Sequence, residues 1–389
     1  MELPNKEING KKRILICMDW YEPGFKAGGP IRSVANIVNE LKDEFEFYIL
    51  TSAFDLGETE PYPNIELDQW FDKDGVMIKY MSRRNMKSSA IKGNILEIDP
   101  DALYLNSLFS KLYTLVPMTL VKKIPIVIAP RGMLGVGALE IKKAKKLLFL
   151  RFTKYLRFYK SLTWHASTQD EVDEIKAAYG ENAKIVIAQN IPTAQQLSLE
   201  DIIKKRKTGN VRFVFVSRIA KIKNLHLAVN AMKHVQADQK VEFHIYGNIE
   251  DKDYFKKIQR QFQDYGNVSI EYKGALNPTL LSSTFLYADF FILPTKHENY
   301  GHAIVEAWAN GCPVIVSQNT PWRNLRVRNL GWDVDINEPE GLINAIQEAV
   351  DLGEEDYLSM VRESFNFFKD EISDIEIIEA NRKLFTNAC

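Results

Sequence analysis

The chain has 389 residues, 46% of them hydrophobic and 26% charged, with 50 Lys and Arg against 51 Asp and Glu. That length exceeds one ordinary α/β domain and fits two of about 190 residues, and the near-zero balance speaks against nucleic-acid binding through a global positive field. Three cysteines without paired or metal-like spacing, no apolar run long enough to span a bilayer and no apolar leader in MELPNKEINGKKR make a cytoplasmic, reduced globular protein the expectation.

In chain order, RILICM (13–18) is a short apolar strand candidate. The loop DWYEPGFKAGGP follows, then the periodic run IRSVANIVNEL, where Pro30 suits a first helical turn because its missing N–H would be unpaired there anyway. Further short β-branched runs alternate with helical stretches: FEFYILTS (45–52), ALYLNS (102–107), PIVIAP (125–130) and KIVIAQN (184–190). This is the pattern of a mainly parallel sheet. After the third of these, Arg131 follows a strand, and Lys142, Lys143, Lys145, Lys146, Arg151, Lys154 and Arg157 are interleaved with leucine and aromatic residues. The segment 142–157 either packs as a basic helix on its own domain or touches an anionic membrane peripherally.

The charged stretch TAQQLSLEDIIKKRKTGN (193–210) precedes a second series of strands: VRFVFVSR (211–218), VEFHIYGN (241–248), VSIEYKG (268–274), DFFILPT (289–295) and PVIVSQN (313–319). Helical segments around 225–236, 252–264, 302–310 and 340–351 separate them. The expected fold is therefore α/β, two Rossmann-like domains facing across a cleft, the first over 1–195 and the second over 205–371. Ligands of such sheets collect beyond the carboxyl ends of the strands.

FFILPTKHENYGHAIVEAWANGCPVIV reads as strand, loop, helix and strand. Glu298 lies in the loop, Gly301 lets backbone approach a ligand closely, and Glu306 sits mid-helix behind a helix N-terminus suited to phosphate. The plain alternative is one helix-capping acid and one surface acid. Glu298, Gly301, Glu306, Ala307, Gly311 and Pro313–Ile315 together resemble the signature of retaining glycosyltransferases of the glycogen-synthase-like and mannosyltransferase-like kind, often called family 4, with a two-domain GT-B architecture.

The resemblance implies that Glu298 contacts hydroxyls of the donor sugar and Glu306 holds the nucleotide ribose. VSRIAKIKN is similar to the family's segment whose arginine and lysine grip the donor diphosphate, here Arg218 and Lys223, with Lys221 a nearby decoy. The chemistry wants such cations, because a departing nucleoside diphosphate gains charge in the transition state. Gly28 and Gly29 resemble the family's glycine-rich loop, which gives backbone amides to the donor; GxGxxG is absent, and a turn leading into a helix is the alternative. Many relatives carry a first-domain histidine beside the reacting sugar, where this chain has Asn106 and Ser107. His165 either faces the cleft or is satisfied by backbone, and His302 either contacts the sugar or faces solvent. Arg131, Asn106 and His165 are thus the acceptor-side candidates. Relatives also send the final helix, here 372–389, back onto the first domain.

The implied activity is transfer of a sugar, with retention, from a nucleotide-sugar to a hydroxyl of a glycan or lipid-linked acceptor, as in surface polysaccharide synthesis. No metal and no cofactor is expected, since the nucleotide-sugar is a substrate. Six histidines include no H-x-x-x-H pair, and the Asp-x-Asp spacings at Asp72–Asp74, Asp99–Asp101, Asp251–Asp253 and Asp333–Asp335 read as surface turns. Two other classes stay open: a nucleotide-sugar epimerase, and a non-catalytic sugar- or membrane-binding protein.

Overall fold

The apolar runs become fourteen strands among the described residues, shared between two sheets. The computed structural model describes residues 10–388 except 122, 141–142, 156–157, 160–161, 194–196 and 206–209. Lys142 and Arg157 of the basic run, and parts of the 193–210 stretch, lie outside the described residues. The chain divides into two compact units, Met1–Ile191 with Ile375–Cys389, and Pro192–Asp374. The division falls after Ile191 rather than 195, and the chain rejoins the first unit at Ile375 rather than 372.

The first sheet contains β1 (Lys12–Cys17), β2 (Phe45–Ser52), β3 (Trp70–Lys73), β4 (Val76–Met81), β5 (Ala102–Leu105), β6 (Ile126–Ile128), β7 (Thr163–Ala166) and β8 (Ile185–Ile187). Their order is β3-β4-β2-β1-β5-β6-β7-β8, parallel throughout except for the β3–β4 hairpin. That hairpin has no counterpart among the expected strands, and Asp72 lies within β3 rather than in a turn, its carboxylate accepting the N–H of Gly75 in the turn that follows at 3.1 Å. Residues of β1 and β5 point alternately into two cores, Ile14, Ile16 and Tyr104 to one face and Leu15, Cys17, Leu103 and Leu105 to the other. Burial on both faces explains why these strands read as unbroken apolar runs.

The C-terminal helix Ile375–Thr386 packs on the first of these faces. Its Phe385 ring lies 5.5 Å from Phe45, 5.6 Å from Phe47 and 5.6 Å from Tyr104, and Asn381 donates to the carbonyl of Gln189 at 2.7 Å.

The second sheet contains β9 (Asn210–Val216), β10 (Lys240–Tyr246), β11 (Val268–Gly274), β12 (Phe290–Leu293), β13 (Val314–Ser317) and β14 (Gly331–Val334), all parallel, in the order β11-β10-β9-β12-β13-β14. Counted from its own first strand this is 3-2-1-4-5-6, the doubly wound Rossmann order. Strand β14 was not among the expected strands, and Asp333 lies within it, so Asp333 is no surface turn; its carboxylate accepts from the backbone of Asn324 and Leu325. In this order the chain reverses direction between β9 and β12, and in the first sheet between β1 and β5. Loops after those strands diverge to opposite faces and leave a crevice at the carboxyl edge, which positions the candidate site.

Candidate functional site

In the second unit the loops after β9 and β12 are stitched together at this crevice. Buried Thr295, just past β12, donates its hydroxyl to the carbonyl of Ile222 at 3.1 Å, and the Lys296 N–H donates to the same carbonyl at 2.7 Å. Ser317, ending β13, donates to the Thr295 carbonyl at 2.5 Å, and the Glu298 N–H donates to Asn319 at 3.0 Å. These bonds hold three loops in register. Sequence reading missed Thr295, Ser317 and Asn319, although each is a polar residue at or just past the end of a strand run.

The stitching brings Lys223 to Glu298, with Nζ to Oε2 at 2.5 Å, and the two side chains are only 11% and 19% exposed. Lys223 closes a short 3-10 turn, Lys221–Lys223, after which Asn224 takes the left-handed conformation at φ 52° and leads into the helix Leu225–Met232. Asn tolerates that region better than other side chains because it bonds locally. Lys221 points elsewhere, pairing with Asp251 at 3.3 Å with its side chain 74% exposed. Asp251 in turn caps the helix Lys252–Gln259 by accepting from Tyr254 N. Arg218 stands two residues past β9 and donates to the Glu250 carboxylate in an exposed pair.

Gly301 caps the helix His302–Ala309 at φ 83°. A Cβ there would lie 2.8 Å from Ile304 Cδ1 and 3.2 Å from Glu298 Cγ. The glycine is required twice, by the left-handed backbone and by the packing of Glu298 against it. His302 opens that helix, its ring 5.0 Å from Tyr300, and Glu306 follows one turn later, both half-buried. The buried Tyr300 hydroxyl has its pKa pushed up, first by burial and then by the charge of Glu306. Tyr300 is also anchored through its carbonyl, which accepts from Trp322 Nε1 at 2.6 Å.

In the first unit, Gly28 caps the helix Gly29–Leu41 at φ 72°, with no side-chain cap and no acid in the first turn. Space is open around Gly28, so its requirement is conformational alone. The loop before it is held by Asp55, whose carboxylate accepts from Phe25 N at 3.0 Å and Lys26 N at 3.3 Å. Asn106, just past β5, donates to the Pro30 carbonyl at 3.1 Å and so fixes the start of that helix.

Asn106, Arg131 and His165 prove to be parts of one network. Arg131, in the left-handed region at φ 55°, donates from Nε to Asn106 Oδ1 at 2.7 Å, from Nη1 to Asn190 Oδ1 at 2.5 Å and from Nη2 to the Tyr104 hydroxyl at 2.6 Å. Tyr104 in turn meets His165 Nδ1 at 2.8 Å, and His165 Nε2 meets the Ala188 carbonyl at 2.8 Å. A carbonyl only accepts, so Nε2 carries the hydrogen, Nδ1 accepts, and the tyrosine hydrogen points to the imidazole. Burial and the Arg131 charge lower the His165 pKa to about 3, so the ring is neutral. His165 is 1% exposed with both nitrogens engaged, and Tyr104 links it to the half-buried Arg131. Among the described residues no group of three or more His, Cys, Asp or Glu is arranged to hold a metal ion.

Residues 198–364 match the family described as "Glycosyl transferases group 1". The lipopolysaccharide core biosynthesis glycosyltransferase LpsE of Rhizobium meliloti is 28% identical over 137 residues, covering 35% of this chain and 38% of the relative. The poly(glycerol-phosphate) alpha-glucosyltransferase of Bacillus subtilis is 29% identical over 153 residues, covering 38% of this chain and 21% of the relative. The matches thus span less than half the length of these curated relatives. The crystal structure of Anabaena Alr3699/HepE in complex with UDP-glucose superimposes with a TM-score of 0.70 at 15% identity, over 97% of this chain and 99% of that one. Likeness at that identity establishes the fold, two Rossmann-like α/β domains of the GT-B architecture with a C-terminal helix. The chain thus has the GT-B fold, and residues 198–364 of its second unit are similar to the glycosyl transferases group 1 family.

Proposed function

We propose that the protein transfers a sugar, with retention of anomeric configuration, from a nucleotide-sugar to a hydroxyl of a glycan or lipid-linked acceptor in surface polysaccharide synthesis. The observation that carries this reading is the Lys223–Glu298 pair at the strand-order reversal of the second sheet. A nucleotide-sugar presents phosphate oxygens and sugar hydroxyls within a few bonds of one another, and a cation beside a carboxylate matches that pairing. Lys223 and Arg218 take the diphosphate and stabilise the charge that grows on it as the glycosidic bond breaks. Glu298 orients the sugar through its hydroxyls, and Glu306 holds the ribose. The incoming hydroxyl attacks from the face the diphosphate leaves, and the diphosphate takes its proton. Holding both reactants in place supplies much of the rate. LpsE acts in lipopolysaccharide core biosynthesis, and HepE was crystallised with UDP-glucose, which supports the acceptor and donor classes.

The test is a thermal-shift screen of UDP-, GDP- and ADP-sugars, because a ligand that binds only the native state raises apparent stability. Product analysis with the hit then decides the chemistry. Transfer with the anomeric configuration kept is expected. Inversion refutes retention, an isomerised donor without acceptor indicates an epimerase, and binding without turnover indicates a non-catalytic protein.

Peripheral contact with an anionic membrane, on its cytoplasmic side, belongs to the same proposal. Leu148, Phe152 and Tyr155 are 70%, 60% and 86% exposed along one side of the helix Lys143–Tyr155, with Lys145 and Arg151 exposed beside them. Leu150 and Thr153 face the core, and Lys146 turns inward to the Ala138 carbonyl at 2.7 Å. An apolar strip edged by cations suits a headgroup boundary. Among the described residues no helix is long and apolar enough to cross a membrane. Co-sedimentation should rise with anionic lipid and fall with salt. Equal recovery on neutral and anionic vesicles refutes the contact.

A further inference from the structure

The guanidinium of Arg131 is held by neutral oxygens and by no ion pair among the described residues. Its three bonds go to the oxygens of Asn106, Asn190 and Tyr104. All three partners are buried, at 4%, 2% and 1% exposure, whereas Arg131 itself is half-buried. The nearby carboxylate of Glu171 is engaged by Gly132 N at 2.7 Å, Ser167 N at 2.8 Å and Ser167 Oγ at 2.9 Å.

The oxygens bonded to the guanidinium carry no negative charge themselves. Tyr104 gives its hydrogen to neutral His165 and offers only lone pairs to the arginine. Holding a cation partly out of water without an ion-paired carboxylate is costly. The backbone adds to that cost, since Arg131 sits in the left-handed region at φ 55°. Strain of this kind persists where neighbours over-determine it, and it concentrates at ligand sites. Three of the five guanidinium hydrogens are used, which leaves one on Nη1 and one on Nη2 as donors for an oxyanion.

Resting on the transferase reading above, we propose that Arg131 is an oxyanion-binding residue of the acceptor site, and that the acceptor bears a phosphate or a carboxylate. Asn106 couples this position to the Gly29–Leu41 helix start through the Pro30 carbonyl, which sets the anion beside the β1–β5 reversal where ligands of such sheets gather.

The test compares three acceptors with one nucleotide-sugar: methyl glucoside, glucose 1-phosphate and methyl glucuronide. Wild type should use one of the anionic acceptors with a KM roughly ten- to hundredfold below that of the neutral one, the gap shrinking with salt. The phosphate and uronate arms identify which oxyanion is meant. Arg131→Gln should bring the ratio of the neutral to the anionic acceptor KM down to about one. Arg131→Lys, which keeps the charge without the two Nη donors, should fall between. Equal KM values for all three acceptors in wild type, or a preference that survives Arg131→Gln, overturns the inference and leaves the transferase reading intact.

Absence of transfer from every donor refutes the transferase reading instead. Calorimetry with glucose 1-phosphate against glucose then decides the anion site, using an Arg218→Ala background to silence the second unit. Binding of the phosphate alone, lost on Arg131→Gln, supports it, and equal heats for the two ligands overturn it. Should Arg131→Gln fail to fold, Arg131→Lys and the wild-type salt dependence give the same decision.

Discussion

Lys223→Met keeps the hydrophobic stem of the lysine and removes its charge, leaving the Glu298 carboxylate without the cation that now stands 2.5 Å away. Breaking a fully buried pair costs about 3–5 kcal/mol, and breaking an exposed one about 0–1 kcal/mol. With side-chain exposures of 11% and 19% the pair lies nearer the buried limit but keeps some water, so about 2 kcal/mol is expected. Glu298→Gln leaves the ammonium facing an amide oxygen and should cost a little less. The double variant removes the attraction and both stranded charges together, so its loss should fall short of the sum of the single losses by about 1–2 kcal/mol. Urea unfolding of the four full-length proteins at pH 7 measures this, read on the transition that responds to the substitutions. A coupling below about 0.5 kcal/mol would mean that the pair is a surface contact and that the geometry carrying the proposed function is wrong.

Gly301→Ala should cost about 1–2 kcal/mol for the left-handed backbone and raise the donor KM as the new methyl presses on Glu298; wild-type stability would refute both requirements on that glycine. Arg218→Ala breaks an exposed pair and should change stability by no more than about 0.5 kcal/mol, yet lower turnover roughly a few hundredfold; unchanged turnover in the folded variant removes Arg218 from the diphosphate site. His165 sits folded at a pKa of about 3 against an ordinary 6.5, so its contribution is whole above pH 6.5 and is lost as pH falls from there toward 3. Near pH 5 it should account for about 2 kcal/mol of lost stability in urea titrations, and a His165→Gln protein showing the same pH slope would refute the buried neutral ring.

Much of the fold was legible because it is local. FEFYILTS coincides with β2, since a strand covered on both faces needs apolar residues at nearly every position, and VSIEYKG coincides with the edge strand β11, where buried apolar and exposed polar residues alternate in part. The β3–β4 hairpin and β14 were missed because their mixed segments, WFDK and GWDV among them, are short and polar in part, and they take their conformation from the neighbours they pair with. The glutamate motif was legible for the same local reason: strand, loop and helix follow one another within twenty residues.

Partnership is where local pattern ended. Nothing in KIK separates Lys221 from Lys223, and only the 3-10 turn together with the Thr295 and Lys296 bonds to Ile222 sends one lysine to Glu298, 75 positions away, and the other to Asp251. Arg131, Asn106, Asn190 and His165 likewise come from four separate strand ends, and parallel order alone brings those ends to one edge of the sheet. The residue types and their positions past each strand belong to the sequence. The pairs they form belong to the tertiary structure, because each bond closes a loop whose far end is chosen by strand order and by no pattern within reach of the residue itself.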